Sequence, residues 1–249
     1  MKRKHSPNTA ARLVTRSGHD FMHTPRTSYL IAASPRSGSQ LLGALLTSTG
    51  LAGFPGEHFN PWHMGDAANC FPDKLIYDAE HIRRLIEKHT SPNGVFGSKA
   101  HFLQVINFVG LDRLESLYPT PLKYISLYRR DYTRQGISLA KAVQTDAYNS
   151  DMQSAKAPVY NYYQILQCIR EVRVDAKGWQ TYFQQRSIEP LRIIYEDLVT
   201  DQIGTLRNVL EFLEIASPPD LRIPTITLKK QADSLSDLWV EKFNRGDQE

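Results

Sequence analysis

Residues 28–50 read Ser28-Tyr-Leu-Ile-Ala-Ala33, Ser34-Pro-Arg-Ser-Gly-Ser-Gln40 and Leu41-Leu-Gly-Ala-Leu-Leu-Thr-Ser-Thr-Gly50 in unbroken succession. The first piece is a short apolar run of the kind that forms a buried strand. The second breaks that run with Pro, Gly and three serines. The third has the apolar density of a helix and stops at Gly50, a residue type that closes helices without steric cost. Strand, tight turn and helix in this order are the first third of a βαβ unit.

The rest of the chain repeats the alternation. Strands are expected at Gly94-Val-Phe-Gly-Ser-Lys99, Leu122-Lys-Tyr-Ile-Ser-Leu-Tyr128 and Leu191-Arg-Ile-Ile-Tyr195. Helical patterns fall at 78–89, 102–117, 132–143, 160–185, 203–213 and 235–243. Tyr163, Leu166, Ile169, Val172 and Trp179 supply apolar positions on the long helix. Ile203, Leu206, Val209, Leu210 and Leu213 form the face of the next one. Four strands alternating with helices predict an α/β fold, P-loop-like, with three α/β/α layers around a central parallel sheet. In such sheets ligands bind beyond the C-terminal ends of the strands, so the residues just after each strand are the place to search. The long aperiodic stretch from Leu51 to Asp73 and the polar segment 147–159, a loop or cover, are read as functional connections.

Composition narrows the class. The chain has 249 residues, is 41% hydrophobic and 22% charged, and holds no apolar run long enough to span a membrane. Its net charge of +4 is misleading as a sign of nucleic-acid binding. Residues 1–26 alone carry +5 (Lys2, Arg3, Lys4, Arg12, Arg16 and Arg26 against Asp20), which leaves the remaining 223 residues at −1. The organisation expected is a flexible basic leader over 1–26 and a single domain over 27–249, with no nucleic-acid partner. Cys70 and Cys168 are too few for a disulfide framework, and the eight histidines show no metal-ligand spacing, so the expectation is a cytoplasmic protein without a metal.

The Ser34–Gln40 turn has the makings of an anion cradle. Gly38 lets the backbone turn, Ser37 and Ser39 offer hydroxyls, Arg36 adds a charged fork, and a helix N-terminus follows. The same residues also fit a turn that merely caps a helix with serine. The turn is not G-x-x-x-x-G-K-[ST], since position 34 is Ser and no Lys-Ser/Thr pair is present, which argues against one alternative, a P-loop-like small-molecule kinase, and leaves a catalytically inert nucleotide- or polyanion-binding protein as the other. Arg129-Arg130-Asp131 after the third strand reads either as a phosphate fork or as a surface ion-pair cluster. Glu57 reads either as a general base or as a solvated loop carboxylate, with His58 as the competing base. Trp179, Tyr182, Phe183 and Trp239 are expected in the core, and Tyr195-Glu-Asp197 either approaches the site or is structural.

Five blocks, in order, resemble the bacterial carbohydrate sulfotransferases typified by trehalose 2-sulfotransferase. They are the 34–40 loop, Gly50-Leu-Ala-Gly-Phe-Pro-Gly-Glu-His-Phe59, Gly94–Lys99, Arg129-Arg-Asp-Tyr-Thr-Arg-Gln-Gly-Ile-Ser138 and Gln231-Ala-Asp-Ser-Leu-Ser-Asp-Leu-Trp239. The resemblance implies sulfuryl transfer from 3′-phosphoadenosine-5′-phosphosulfate, leaving 3′-phosphoadenosine-5′-phosphate, to a carbohydrate or glycolipid hydroxyl. It places Arg36, Ser37, Gly38, Ser39 and Gln40 on the 5′ end of the donor, with Gln40 standing where the family has Thr. It places Arg129 and Ser138 on the 3′-phosphate, with Lys230, or alternatively Lys229, as a second cation. Glu57 becomes the general base and Lys99 the cation beside the transferred group, with Arg36 counted among the catalytic residues. His58, Phe59 and His101 are assigned to the acceptor pocket. Ala100-His101-Phe102 departs from the family's Met-Trp segment, and the stretch from His58 to Thr90 is short, which puts trehalose itself in doubt. The family implies a homodimer.

Overall fold

A computed structural model describes residues 24–60, 79–148, 156–223 and 234–248. Its centre is a four-stranded sheet, β1 (Thr27–Ala33), β2 (Val95–His101), β3 (Leu122–Tyr128) and β4 (Leu191–Ile194), in the spatial order β2-β1-β3-β4 with every pair parallel. Helices cover both faces, so the α/β/α architecture expected from the sequence is the one observed.

The reason lies in the strands. Residues 28–33 of β1 are all essentially inaccessible to solvent, because successive side chains enter opposite layers. Tyr29, Ile31 and Ala33 join Leu42, Leu45 and Leu46 of helix α1 (Ser39–Ser48). Leu30 and Ala32 join Phe96, Tyr124 and Trp179 in the other layer. A strand buried on both faces has apolar residues pointing both ways, which is why β1 shows no alternation from Tyr29 to Ala33, while the buried Ser28 hydroxyl accepts from Thr120 Oγ1 at 2.7 Å. Trp179 belongs to the long helix α5 (Tyr162–Gln185), whose indole N–H donates to the Ala33 carbonyl at 3.2 Å. That bond ties the helix to the end of β1, where the loop begins. A third cluster joins α4 (Tyr132–Thr145), α5 and α8 (Ser234–Arg245) around Trp239. The remaining helices are α2 (Ala79–His89), the short α3 (Phe102–Gln104), α6 (Tyr195–Thr200) and α7 (Gln202–Phe212).

Three expectations need correction. The helix read over 102–117 is instead broken into α3, a π-helical turn (Val105–Val109) and a 3₁₀ turn (Leu114–Leu117). Val105, Val109, Leu114 and Leu117 are all buried, so the apolar pattern is real, but Gly110 at φ 86° turns the chain between the pieces. Strand β2 runs two residues further than expected, to His101, so Lys99 lies inside the strand, opposite Ile31, rather than at its end. Tyr163 and Ile203 are exposed; Ile165 and Cys168 take the inward positions on α5. Among the described residues no helix is long and apolar enough to cross a membrane. The leader falls outside the described residues as far as position 23.

Candidate active site

Register brings three strand ends together: Ala33 lies opposite His101 on one side and Leu127 on the other. The loop leaving β1 is therefore flanked by the ends of β2 and β3. The order β2-β1-β3 makes this the point where successive connections diverge, the usual ligand crevice of an open α/β sheet.

The loop is not a simple serine cap. The residue preceding α1 is Gly38, and no side chain caps that helix. Gly38 sits at φ 96°, and a Cβ there would lie 2.3 Å from Cδ2 of Tyr195, so the position accepts glycine alone. Arg36 is also left-handed, at φ 61°, a strained conformation for a non-glycine residue. Gln135 of α4, fully buried, holds the loop by donating from Nε2 to Ser34 Oγ at 2.8 Å and to the Pro35 carbonyl at 2.6 Å. Ser37 Oγ is buried with no hydrogen-bond partner. Ser39 is buried and Gln40 half-buried in the first turn of α1.

Two guanidinium groups share this loop. Arg36 donates from Nε to Ser138 Oγ at 3.0 Å and from Nη1 to the Tyr148 carbonyl. Arg129 donates to the Arg36 carbonyl at 3.3 Å, and its guanidinium carbon lies 4.3 Å from the centroid of the Tyr195 ring. Its Nε is buried without a hydrogen-bond partner, with Glu196 no nearer than 4.0 Å. Burial, then the charge of Arg129, lowers the pKa of Arg36; burial likewise lowers that of Arg129, partly offset by Tyr195 and Glu196. Crowded cations with unspent donors form a pocket that an anion would complete. The Arg-Arg-Asp triplet splits by role. Arg130 makes an exposed two-bonded pair with Asp197 at 2.9 and 3.0 Å, and Asp131 caps α4 by accepting from the Arg134 N–H at 2.8 Å. Tyr195 thus meets the loop at Gly38, Glu196 faces Arg129 and accepts from the Arg130 N–H at 3.1 Å, and Asp197 serves the surface pair. Lys229, Lys230 and most of the 147–159 cover lie outside the described residues.

The other half of the site hangs on the edge of β2. Gly56 forms a parallel bridge with Ser98, and its carbonyl accepts from the Lys99 N–H at 2.8 Å. This docking swings Glu57 beside the Lys99 side chain, with Oε1 3.3 Å from Nζ and both side chains nearly buried. Glu57 Oε2 accepts from Asn60 Nδ2 at 2.9 Å and from Gln104 Nε2 at 3.2 Å. Burial pushes the carboxyl up, but the charges of His101 and Lys99 and the two amide bonds outweigh it and hold it at about 2. Glu57 is therefore not a solvated loop carboxylate. His58 turns into the loop's own packing. Its ring lies 4.1 Å from that of His89, its Nε2 meets the Phe54 carbonyl at 3.0 Å, and burial followed by His89 lowers it to about 4. Phe59 is buried in the core, edge-on to Tyr118. His101 closes β2, half-buried, in the electrostatic field of Glu57. Sequence reasoning named neither Gln135, Asn60 nor Gln104; an isolated amide carries no local pattern.

The fold and site together define an open parallel α/β protein that presents cationic donors at the end of β1 and a carboxylate–lysine pair on the neighbouring strand β2. The model of the Stf0 sulphotransferase family matches residues 28–246, and the chain belongs to that family. Its relatives include trehalose 2-sulfotransferase of Mycolicibacterium smegmatis, 29% identical over 261 residues (88% of this chain, 95% of that one). The trehalose 2-sulfotransferase of Mycobacterium tuberculosis is 28% identical, covering 86% of this chain and 93% of its own. Among solved structures, a sulfotransferase from Alicyclobacillus acidocaldarius shares the fold with a TM-score of 0.53 at 15% identity, over 88% of this chain and 92% of that one. The sulfotransferase domain of the curacin biosynthetic pathway does so at 0.50 and 19% identity, over 79% and 76%.

Proposed function

We propose that this sulfotransferase moves a sulfuryl group from 3′-phosphoadenosine-5′-phosphosulfate to a hydroxyl of a carbohydrate or glycolipid acceptor, with Glu57 as general base. One observation carries the reading. The loop after β1 holds a buried, unpartnered Ser37 hydroxyl and the half-buried Arg36 guanidinium, and Arg129, just after β3, brings an unpartnered Nε against it, with a carboxylate–lysine pair on the neighbouring strand β2. The loop fits the donor's anionic ends. Ser37, Ser39, Gln40, Arg36 and the N–H groups at Gly38 would hold the 5′ end, and Arg129 with Ser138, joined by Lys230, would hold the 3′-phosphate.

The bound donor supplies an activated S–O bond whose leaving side gathers negative charge. Arg36 and Ser37, fixed in place before reaction, stabilise that growing charge more than the ground state. Glu57 is ionised throughout the physiological range, so a proton acceptor is always present at Oε1. Its basicity is low while Lys99 is paired with it. As Lys99 turns to charge developing on the transferred group, the carboxylate becomes more basic, in the direction that favours taking the hydroxyl proton. The new bond joins the acceptor oxygen to sulfur, the bond from sulfur to the 5′-phosphate oxygen breaks, and the hydroxyl proton ends on Glu57. The family resemblance supports a homodimer, and the low cysteine content a cytoplasmic protein.

The test is a calorimetric titration with 3′-phosphoadenosine-5′-phosphate, without magnesium, beside ATP. Micromolar binding of the bisphosphate and much weaker binding of ATP is expected, followed by sugar acceptors screened with labelled donor. No bisphosphate binding, or equal binding of ATP, overturns the donor site.

A further inference from the structure

Gln104 is used at both ends of its amide. Its Oε1 accepts from the backbone N–H of His101 at 3.1 Å, and its Nε2 donates to Glu57 Oε2 at 3.2 Å. The amide cannot be reversed, because the His101 N–H requires the carbonyl end and the carboxylate requires the donor end. The turn that carries Gln104 is pinned in its own right. The buried carboxylate of Asp175 accepts from the N–H groups of Phe102 at 3.1 Å and Leu103 at 2.8 Å, which fixes α3 against α5. Asn60 also binds Oε2, from three residues along the same loop. Gln104 comes from the continuation of β2, so its hydrogen bond ties the carboxylate directly to the sheet.

We propose that Gln104 is a positioning residue of the transfer reaction: it holds Oε2 of Glu57 and thereby presents Oε1, beside Lys99, as the oxygen that receives the acceptor proton. The inference rests on the reading of Glu57 as the base. It extends that reading to the selection of one oxygen and to a residue with no contact of its own with the donor loop.

The experiment uses the full chain, with labelled 3′-phosphoadenosine-5′-phosphosulfate as donor and water as acceptor, so that turnover is release of sulfate and of the bisphosphate. Wild type, Glu57→Gln, Gln104→Leu and Gln104→Glu are compared for turnover, bisphosphate affinity and thermal unfolding. With Gln104→Leu, turnover should fall by about 10- to 100-fold, as expected for a misplaced reacting group. Its bisphosphate affinity should stay within about twofold, because a group bound only through the base makes no ground-state contact with the nucleotide. Gln104→Glu provides a signature that a purely structural role lacks. A protonated Glu at 104 can still donate to Glu57 and accept from His101, whereas an ionised one repels Glu57, with Lys99 and His101 the other charged groups facing that carboxylate. Its turnover should therefore approach wild type at acid pH and fall as the shared proton is lost.

Equal turnover in Gln104→Leu and wild type, a parallel loss of turnover and bisphosphate affinity, or a Gln104→Glu profile parallel to wild type overturns the inference. Wild-type protein that binds no bisphosphate overturns the donor site instead. Unchanged turnover in Glu57→Gln overturns the base on which the inference rests.

Discussion

The two halves of the site are built on opposite terms. Around the β1 loop, two guanidinium groups crowd together, Arg36 and Gly38 are left-handed, and Ser37 Oγ and Arg129 Nε are buried without hydrogen-bond partners. Around Glu57, both carboxylate oxygens are engaged, by Lys99 on one side and by Asn60 and Gln104 on the other. The first half is electrostatically incomplete, and an anion would complete it. The second is complete before anything binds, so the position of the proposed base does not depend on ligand. Affinity should therefore reside in the loop and rate in the carboxylate cluster.

Separating the two is the most direct challenge to that division. Glu57→Gln keeps the shape and both amide neighbours but removes the proton acceptor, and turnover should drop by about 10²–10⁴-fold. Calorimetry on the same variant should find the bisphosphate affinity almost unchanged. A comparable loss in affinity would mean that the halves are not separable. Gly38→Ala attacks the other half. The added methyl meets the Tyr195 ring 2.3 Å away in a backbone conformation hostile to side chains, so the loop must shift. Bisphosphate affinity should weaken by about 100-fold, with some stability lost to backbone strain. Near-native affinity would show that the loop geometry is not what binds.

The contrast also explains what could be read in advance. Strand β1 and the turn after it are legible because double burial forces a continuous apolar run and Gly38 punctuates it, and β3 is legible from its apolar and aromatic content although only Tyr124, Ile125 and Leu127 are buried. The 102–117 segment was misread because its buried apolar positions do recur at helical intervals. What breaks it is Gly110 at φ 86°, which closes the π-helical turn and redirects the chain before Leu114. Tyr163 and Ile203 show that an apolar residue at the right spacing can still face water. In the site, charged residues with ordinary motif spacing could be named, but the amides that orient them could not. Gln135 and Gln104 acquire their roles only when α4 packs on the loop and β2 runs on to His101.

Two buried carboxylates sharpen the comparison through pH. Asp175 is raised from 3.8 to about 6 by burial, against the lowering effect of its two backbone hydrogen bonds and with a smaller upward push from Glu171. The folded state then holds its proton more tightly than the unfolded chain, so its contribution to stability falls as pH rises from about 4 to 6, by about 2–3 kcal/mol in all. Glu57 is depressed from 4.5 to about 2, so its contribution is present above 4.5 and is lost as pH falls below that. Urea unfolding of Asp175→Asn against wild type should show the difference between the two proteins changing over the first window. Glu57→Gln should show a difference of opposite slope over the second. Flat differences in both would remove the electrostatic distinction between scaffold and base.

The smallest effect is the finest test. Ser37 keeps a hydroxyl buried with nothing to bind, which in the ligand-free protein is a cost of about 1–3 kcal/mol. Ser37→Ala deletes that unmet group and leaves the backbone alone, so thermal unfolding without ligand should be unchanged or slightly higher. The same substitution removes one donor from the anion, and bisphosphate affinity should weaken by about 5- to 10-fold, the net value of one ordinary hydrogen bond. Opposite signs in the two measurements are what an incomplete half-site requires. If stability and affinity instead fall together, Ser37 has a partner within the protein, and the loop is as self-sufficient as the carboxylate cluster opposite it.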